Sequence, residues 1–311
     1  MAKRQKKNGK LSKGRILALK AFAALLLALI ILAGVSFINA SIVRVRRATV
    51  ILPDLSSAFE GATILYASDI DLCGINTPDR VGSLFDQLQS LKPDMLVLGG
   101  DYTSSSLFDI LNASPSGGVN TANQTETRQS FFQYIYGFEA PLGKYAIAAP
   151  EDENWDLLRQ QMTNAGIQPL FNSRALVTSG DDRMWLAGVC GGNTNYNSAG
   201  QSFSRDDCVV VISYSPELLP VLLTSEASDS GRWCDLILTG HTQGGQIRLF
   251  GRNILPLTRV EEQYLSGWRV DSGMPILTTE GIGCEGVNLR LGSAPEVWLL
   301  TLRSSPNEVA Q

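Results

Sequence analysis

The chain has 311 residues, 26 basic and 30 acidic, for a formal charge of −4, and 44% of its residues are hydrophobic. Eight of the basic side chains fall in the first 20 positions, where there is no acid, so the remainder carries −12 from 18 basic and 30 acidic residues. A surface of that sign is unsuited to a phosphate backbone, which excludes nucleic acid as a partner. The cysteines, Cys73, Cys190, Cys208, Cys234 and Cys284, are odd in number and show no CxxC spacing. Neither a zinc knuckle nor a thiol redox motif is indicated. They read as buried thiols, with any disulfide pairing unassigned.

In chain order, the basic segment 1–20 is followed by an uninterrupted apolar run, Ala21 to Ile38. The run is long enough to cross a bilayer. A cleaved signal peptide is the rival reading. Its apolar core is usually only about 7–15 residues, and Ile38-Asn39-Ala40 is a poor cleavage site. Eight basic residues precede the run, while Arg44, Arg46 and Arg47 follow it. The positive-inside bias then keeps the N-terminus cytoplasmic and the rest outside, in a single-pass protein of the cell membrane. The expected organisation is a basic cytoplasmic segment 1–20, an anchor 21–38, a linker 39–59, one domain over 60–303 and a tail 304–311.

Within that domain, strand and helix alternate. Residues 62–68 predict a short buried strand. Val81, Leu84, Phe85, Leu88 and Leu91 mark one face of a helix over 78–92, and 94–101 predicts a second buried strand. This is a βαβ unit with parallel pairing. Residues 144–149, 208–213 and 234–240 repeat the buried-strand pattern. After residue 241 the segments 244–251, 261–268, 274–281 and 296–303 read as strands joined by turns. Residues 103–127, rich in Ser, Asn, Thr and Gly, predict a surface loop.

Polar residues load the ends of these strands, where sites form in open α/β sheets. Asp69 and Asp71 follow the first strand, Asp101 the second, Glu151 and Asp152 the third, Tyr214 the fourth, and His241 and Gln243 the fifth. Each alone has an ordinary alternative as a helix cap, a turn former or a packing residue. Their placement at five successive strand ends points to one shared site. His241 is the sole histidine.

The segments SDIDLCG (68–74), GGDYTSS (99–105), AAPEDEN (148–154), SYSPEL (213–218) and GHTQGGQ (240–246) stand in the order of five motifs. In this the chain resembles the calcineurin-like metallophosphoesterases, and particularly their membrane-anchored bacterial branch. Their motifs read SDxHxG, GDxxD, GNHD, a histidine two residues before a proline, and GHTHGGQ. The resemblance covers about residues 60–303 and implies a four-layer α/β/β/α sandwich. It also implies a pair of divalent ions about 3.5–4 Å apart that share one carboxylate.

Carried over position by position, the first ion would be held by Asp69, Asp71, the bridging Asp101 and Gln243. The second would be held by Asp101, Pro150, Tyr214 and His241. Asp71 and Gln243 stand where the family has histidines, and Pro150 and Tyr214 where it has Asn and His. Glu151 stands at the histidine that assists the leaving group. The expectation is therefore a degraded metal-ligand set that holds at most one hard cation, Mg²⁺, Mn²⁺ or Ca²⁺. One reading is a membrane-tethered domain without binuclear hydrolysis. The other is a single-metal phosphodiesterase or phosphatase acting on envelope lipid or nucleotide phosphoesters, with Glu151, if partly buried, supplying a proton beside His241.

Overall fold

The computed structural model describes residues 13–106, 121–152, 154–191, 200–254 and 259–304. Most of the expected basic segment, part of the expected loop (107–120) and all but Ser304 of the expected tail lie outside the described residues.

Helix α1 spans Lys13–Ala40 and contains the whole apolar run. At about 1.5 Å per residue, its 28 residues exceed the thickness of a bilayer core. It is long and apolar enough to cross a membrane, and nearly all of its side chains are exposed. Its last turns touch the domain. The Arg290 N–H donates to Ser36 O at 3.0 Å. Asn39 Nδ2 donates to the carbonyls of Arg290 and Ser293 at 3.1 and 2.7 Å.

The stretch expected as a linker, 39–59, is not one. It contains strand β1 (Arg44–Ile51), paired in parallel with β14 (Glu296–Arg303) from Arg44 opposite Glu296 to Ile51 opposite Arg303. As a sheet edge it exposes Arg44, Arg46 and Arg47, which is why its sequence reads as charge flanking a membrane span. β14 runs antiparallel to β2 (Thr63–Ala67). Then β2, β3 (Met95–Leu98), β4 (Lys144–Ala146) and β5 (Gln168–Pro169) continue the first sheet in parallel.

The second six-stranded sheet has the order β12 (Gly267–Asp271), β13 (Met274–Thr278), β9 (Leu236–Thr239), β8 (Val209–Ser213), β7 (Asp182–Val189) and β6 (Arg174–Ser179). Its four middle strands are parallel and its two edge strands antiparallel to their neighbours. A small ribbon, β10 (Arg248–Leu249) with β11 (Arg252–Asn253), stands where one longer strand was expected. The expected strand over 261–268 begins instead as a tight turn, Glu262–Tyr264.

Alternation along the strands sets the layers. Val210, Ile212, Leu236 and Leu238 share one apolar cluster with the first sheet. Val209, Val211 and Ile237 point the other way, against Trp233 and α5 (Leu219–Thr224). The free face of the first sheet is covered by α2 (Pro78–Leu88), α3 (Thr121–Tyr136) and α4 (Trp155–Asn164). Phe85 and Phe131 meet edge to face at 5.6 Å where α2 packs on α3. Two facing sheets between helices form the expected four-layer sandwich.

The expected loop over 103–127 ends early, because α3 begins at Thr121. Its inward face includes a buried arginine, Arg128, whose Nε donates to Gln161 Oε1 of α4 at 3.0 Å. That polar pair breaks the apolar periodicity by which a helix is recognised. Cys190, Cys208, Cys234 and Cys284 are buried free thiols, whereas Cys73, expected to be buried too, is only partly so.

Candidate metal centre

The cleft lies where loops leave the parallel strands, and its frame is a set of uncommon backbone conformations. Asp69, Asp71, Asp101, His241 and Gln243 have φ of 50°, 47°, 58°, 69° and 49°. Residues other than glycine seldom adopt this left-handed region unless their surroundings impose it, and such positions gather at functional sites. Here the surroundings are a ladder between loops. Asp69 N–H donates to Gly100 O at 3.2 Å, Asp71 N–H to Asp101 O at 3.1 Å and Leu72 N–H to Tyr102 O at 2.8 Å. Gly281 and Gly283 close over the same carboxylates. A Cβ on Gly281, at φ 71°, would stand 2.6 Å from Cβ of Asp69, and one on Gly283 would collide with Asp71.

The expected residues converge. His241 N–H donates to Asp69 Oδ1 at 2.6 Å. His241 Nδ1 lies 3.7 Å from Asp101 Oδ2, a charge contact beyond hydrogen-bond reach. Tyr214 Oη sits 3.2 Å from both His241 Nε2 and Glu151 Oε1. The Pro150 ring borders the same corner, beside Gly191 and Tyr214.

Gln243, expected as an oxygen ligand, is turned the other way. Its Oε1 accepts from the Glu285 N–H at 3.1 Å, and its Nε2 donates to Asp71 Oδ2 at 2.6 Å. The first contact fixes the amide orientation, since a backbone N–H needs an oxygen acceptor. Glu151 is exposed, so the partial burial that its role as a proton donor required is absent.

Three groups given no role in the sequence reading hold the frame, one of them, Asp152, already noted there at the third strand end. Asp152, fully buried, accepts from the N–H groups of Asp101, Tyr102 and Ala149 at 3.0, 2.9 and 2.8 Å. Its signal was its strand-end place in the third motif. Arg290, also fully buried, donates from Nε to Gly283 O at 3.0 Å and from Nη1 to Gln243 O. Nothing in its sequence neighbourhood marks it. The glycines of GIGCEG (281–286) are the third, and a glycine cluster after a strand is a readable sign of close approach.

The electrostatics follow from crowded acids. Burial, then repulsion from Asp101, lifts the Asp69 carboxyl to about 7, with His241 opposing. Burial and the charges of Asp101 and Asp69 hold Asp71 well above the usual carboxylate range. Asp152 is lifted to about 7 by burial and by Asp101, against its N–H bonds. Burial works against a charge on His241, yet Asp101 and Asp69 together lift its imidazole to about 9.

The donor set does not fit a pair of ions. Asp71 Oδ2 already accepts from an amide, a proline and a phenol occupy two ligand positions, and no group of three His, Cys, Asp or Glu side chains among the described residues is placed to hold a metal. Some polar atoms are nevertheless unspent. Asp69 Oδ2 and His241 Nδ1 are buried without a hydrogen-bond partner, as are Ser68 Oγ and Thr239 Oγ1 nearby.

No family model matches the chain. An uncharacterized metallophosphoesterase of Aquifex aeolicus is 23% identical over 287 residues, covering 89% of this chain and 98% of its own. The phosphodiesterase YaeI of Escherichia coli is 29% identical over 219 residues, 68% of this chain and 71% of its own. A transmembrane protein with a metallophosphoesterase domain from Danio rerio is 24% identical over 264 residues, 81% of this chain and 55% of its own. These relatives, and the strand-end motifs brought together in one cleft, support a calcineurin-like metallophosphoesterase family for the chain.

Proposed function

We propose that this is a membrane-anchored member of the family whose cleft has exchanged the two-ion centre for a hydrogen-bonded network, and which hydrolyses phosphodiesters slowly or not at all. The observation that carries the reading is the 2.6 Å bond from Gln243 Nε2 to Asp71 Oδ2. It puts a neutral donor against the carboxylate that a cation would otherwise engage. Loss of one stabiliser of developing charge commonly costs about 10²–10³ in rate, and here Pro150 and Tyr214 add to that loss. The apolar run 21–38, with eight basic residues before it and three after, supports an anchored domain outside the cytoplasm, and the names of the relatives support a phosphoester as its ligand.

A second reading, one hard cation held through Asp69, Asp71 and Asp101, is favoured by the unpartnered Oδ2 of Asp69. In that case Asp69 orients its free oxygen into the cleft, and His241 holds a proton beside Asp101.

Calorimetric titration of the full chain in detergent with Mg²⁺, Mn²⁺, Ca²⁺ and Zn²⁺, paired with hydrolysis of an activated phosphodiester, tests both. The expected result is at most one bound ion, preferring the hard cations, and no fast turnover. Two tightly bound ions, or rapid hydrolysis abolished by Asp101→Asn, would overturn the proposal. Topology is tested separately: the protein should resist carbonate washing, with its C-terminal domain open to protease from outside the cell.

A further inference from the structure

A second place in the molecule holds a buried donor without a partner. Between the start of α2 and the segment joining α1 to β1 lies a cavity of about 290 Å³. Ser41, Asn76 and Arg80 form its polar end, and Ile42, Leu84 and Ile282 are among its apolar walls. Asn76 is 1% exposed. Its Oδ1 accepts from Arg80 Nη1, which fixes the amide, and its Nδ2 is left buried with no partner. Arg80 Nη2 donates to Ser41 O at 2.7 Å, but its guanidinium makes no ion pair among the described residues.

On its α2 side the cavity runs along the flank of that 11-residue helix, from Arg80 and Val81 to Leu84 and Gln87. A cation without an ion pair and the residue with the orphan N–H therefore border one space whose other walls are mostly aliphatic, with Gln87 beside them. Such a space suits an amphiphile with an anionic head.

Its position says where that amphiphile comes from. Ser41 is the first residue after α1, and the apolar run ends at Ile38. The headgroup layer extends roughly 5–7 Å beyond the hydrocarbon, so with α1 in the bilayer the cavity opens at headgroup depth. Arg44 and Arg47, both exposed on β1, add positive charge there.

We propose that this cavity binds the headgroup of an anionic phospholipid, its phosphate against Arg80 and Asn76 Nδ2 and the start of an acyl chain along Ile42 and Leu84. The proposal rests on the anchor reading above but not on any activity of the cleft. It ties the two places together, because Ile282 lines the cavity while Gly281 and Gly283 on either side lie over Asp69 and Asp71.

The test is native mass spectrometry of the full chain in detergent micelles with phosphatidylglycerol, phosphatidylcholine or inorganic phosphate added. One phosphatidylglycerol should be retained per chain in preference to phosphatidylcholine, and Arg80→Gln should weaken that retention by about five- to tenfold. Arg47→Gln, on the open strand, should change it less than about twofold. Because Arg80 also braces Ser41, Leu84→Trp serves as a second variant that fills the cavity and leaves both polar groups in place. It should abolish retention with an unchanged melting temperature. Equal retention of the two lipids, retention indifferent to both Arg80→Gln and Leu84→Trp, or full displacement by inorganic phosphate would each refute a lipid site. Release of the protein by carbonate washing would instead sink the anchor reading, and the micelle measurement would still report on the cavity.

Discussion

The two halves of the cleft are built differently. On one side Asp69, Asp71 and Asp152 are buried and held by backbone N–H groups, the Gln243 amide and the Arg290 strap. On the other, Pro150 and Glu151 are exposed, and the Tyr214 hydroxyl ties Glu151 to His241. The first half is structural as well as chemical, since its carboxylates complete the hydrogen bonding of the loops that carry them. The second half lies on the surface, where substitution leaves few groups unsatisfied. Ligand chemistry can be lost at a surface corner at small cost in stability, whereas the buried carboxylates stay because the fold leans on them.

The hardest blow to this comparison is Arg290→Met. It strands the carbonyls of Gly283 and Gln243 in the interior and should cost about 3–5 kcal/mol, read by denaturant unfolding of the full chain. A loss under about 1 kcal/mol would mean that the strap is ornamental. Next comes the adjacent pair Asp152 and Glu151. Asp152→Ala orphans three N–H groups and should cost about 2–4 kcal/mol, whereas Glu151→Ala should stay within about 0.5 kcal/mol. Similar losses for the two would erase the distinction between the halves.

The pH dependence sharpens it further. Asp69 and Asp152 sit near 7 when folded, against an ordinary 3.8, so the folded state binds more protons across that interval. Their contribution is fully present below pH 3.8 and is lost as pH rises toward 7. His241, raised from 6.5 to about 9, adds a further decline across that higher interval. With chelator present, stability should therefore fall from pH 4 to pH 9. Asp101→Asn, by removing a charge that raises both aspartates, should flatten the lower part of the slope. A stability that rises across that range would show that the acids are not crowded as described. The smallest effect belongs to Tyr214→Phe, which removes two 3.2 Å contacts and should cost below about 1 kcal/mol.

Most of the cleft was readable because its residues close strands whose apolar runs are plain. Asp69, Asp101 and His241 each follow such a run, and a strand end fixes position without any knowledge of partners. What was not readable depends on distant chain. Arg290 is an arginine among apolar neighbours until its guanidinium is seen spanning Gly283 and Gln243. The direction of the Gln243 amide is set by Glu285, 42 residues later. Helix α3 hides because its buried face carries Arg128. Strand β1 hides because its exposed arginines imitate the charge that flanks a membrane span.

That last strand has a consequence in time. β1 leaves the ribosome directly behind α1, yet its partner in the sheet, β14, lies about 250 residues further on. At roughly 5–20 residues per second, it waits for tens of seconds with both edges unpaired. An apolar strand in that position would invite pairing with a neighbouring nascent chain. Arg44, Arg46 and Arg47 make such pairing electrostatically unfavourable between identical chains, until Glu296 arrives to take Arg46 at 3.2 Å.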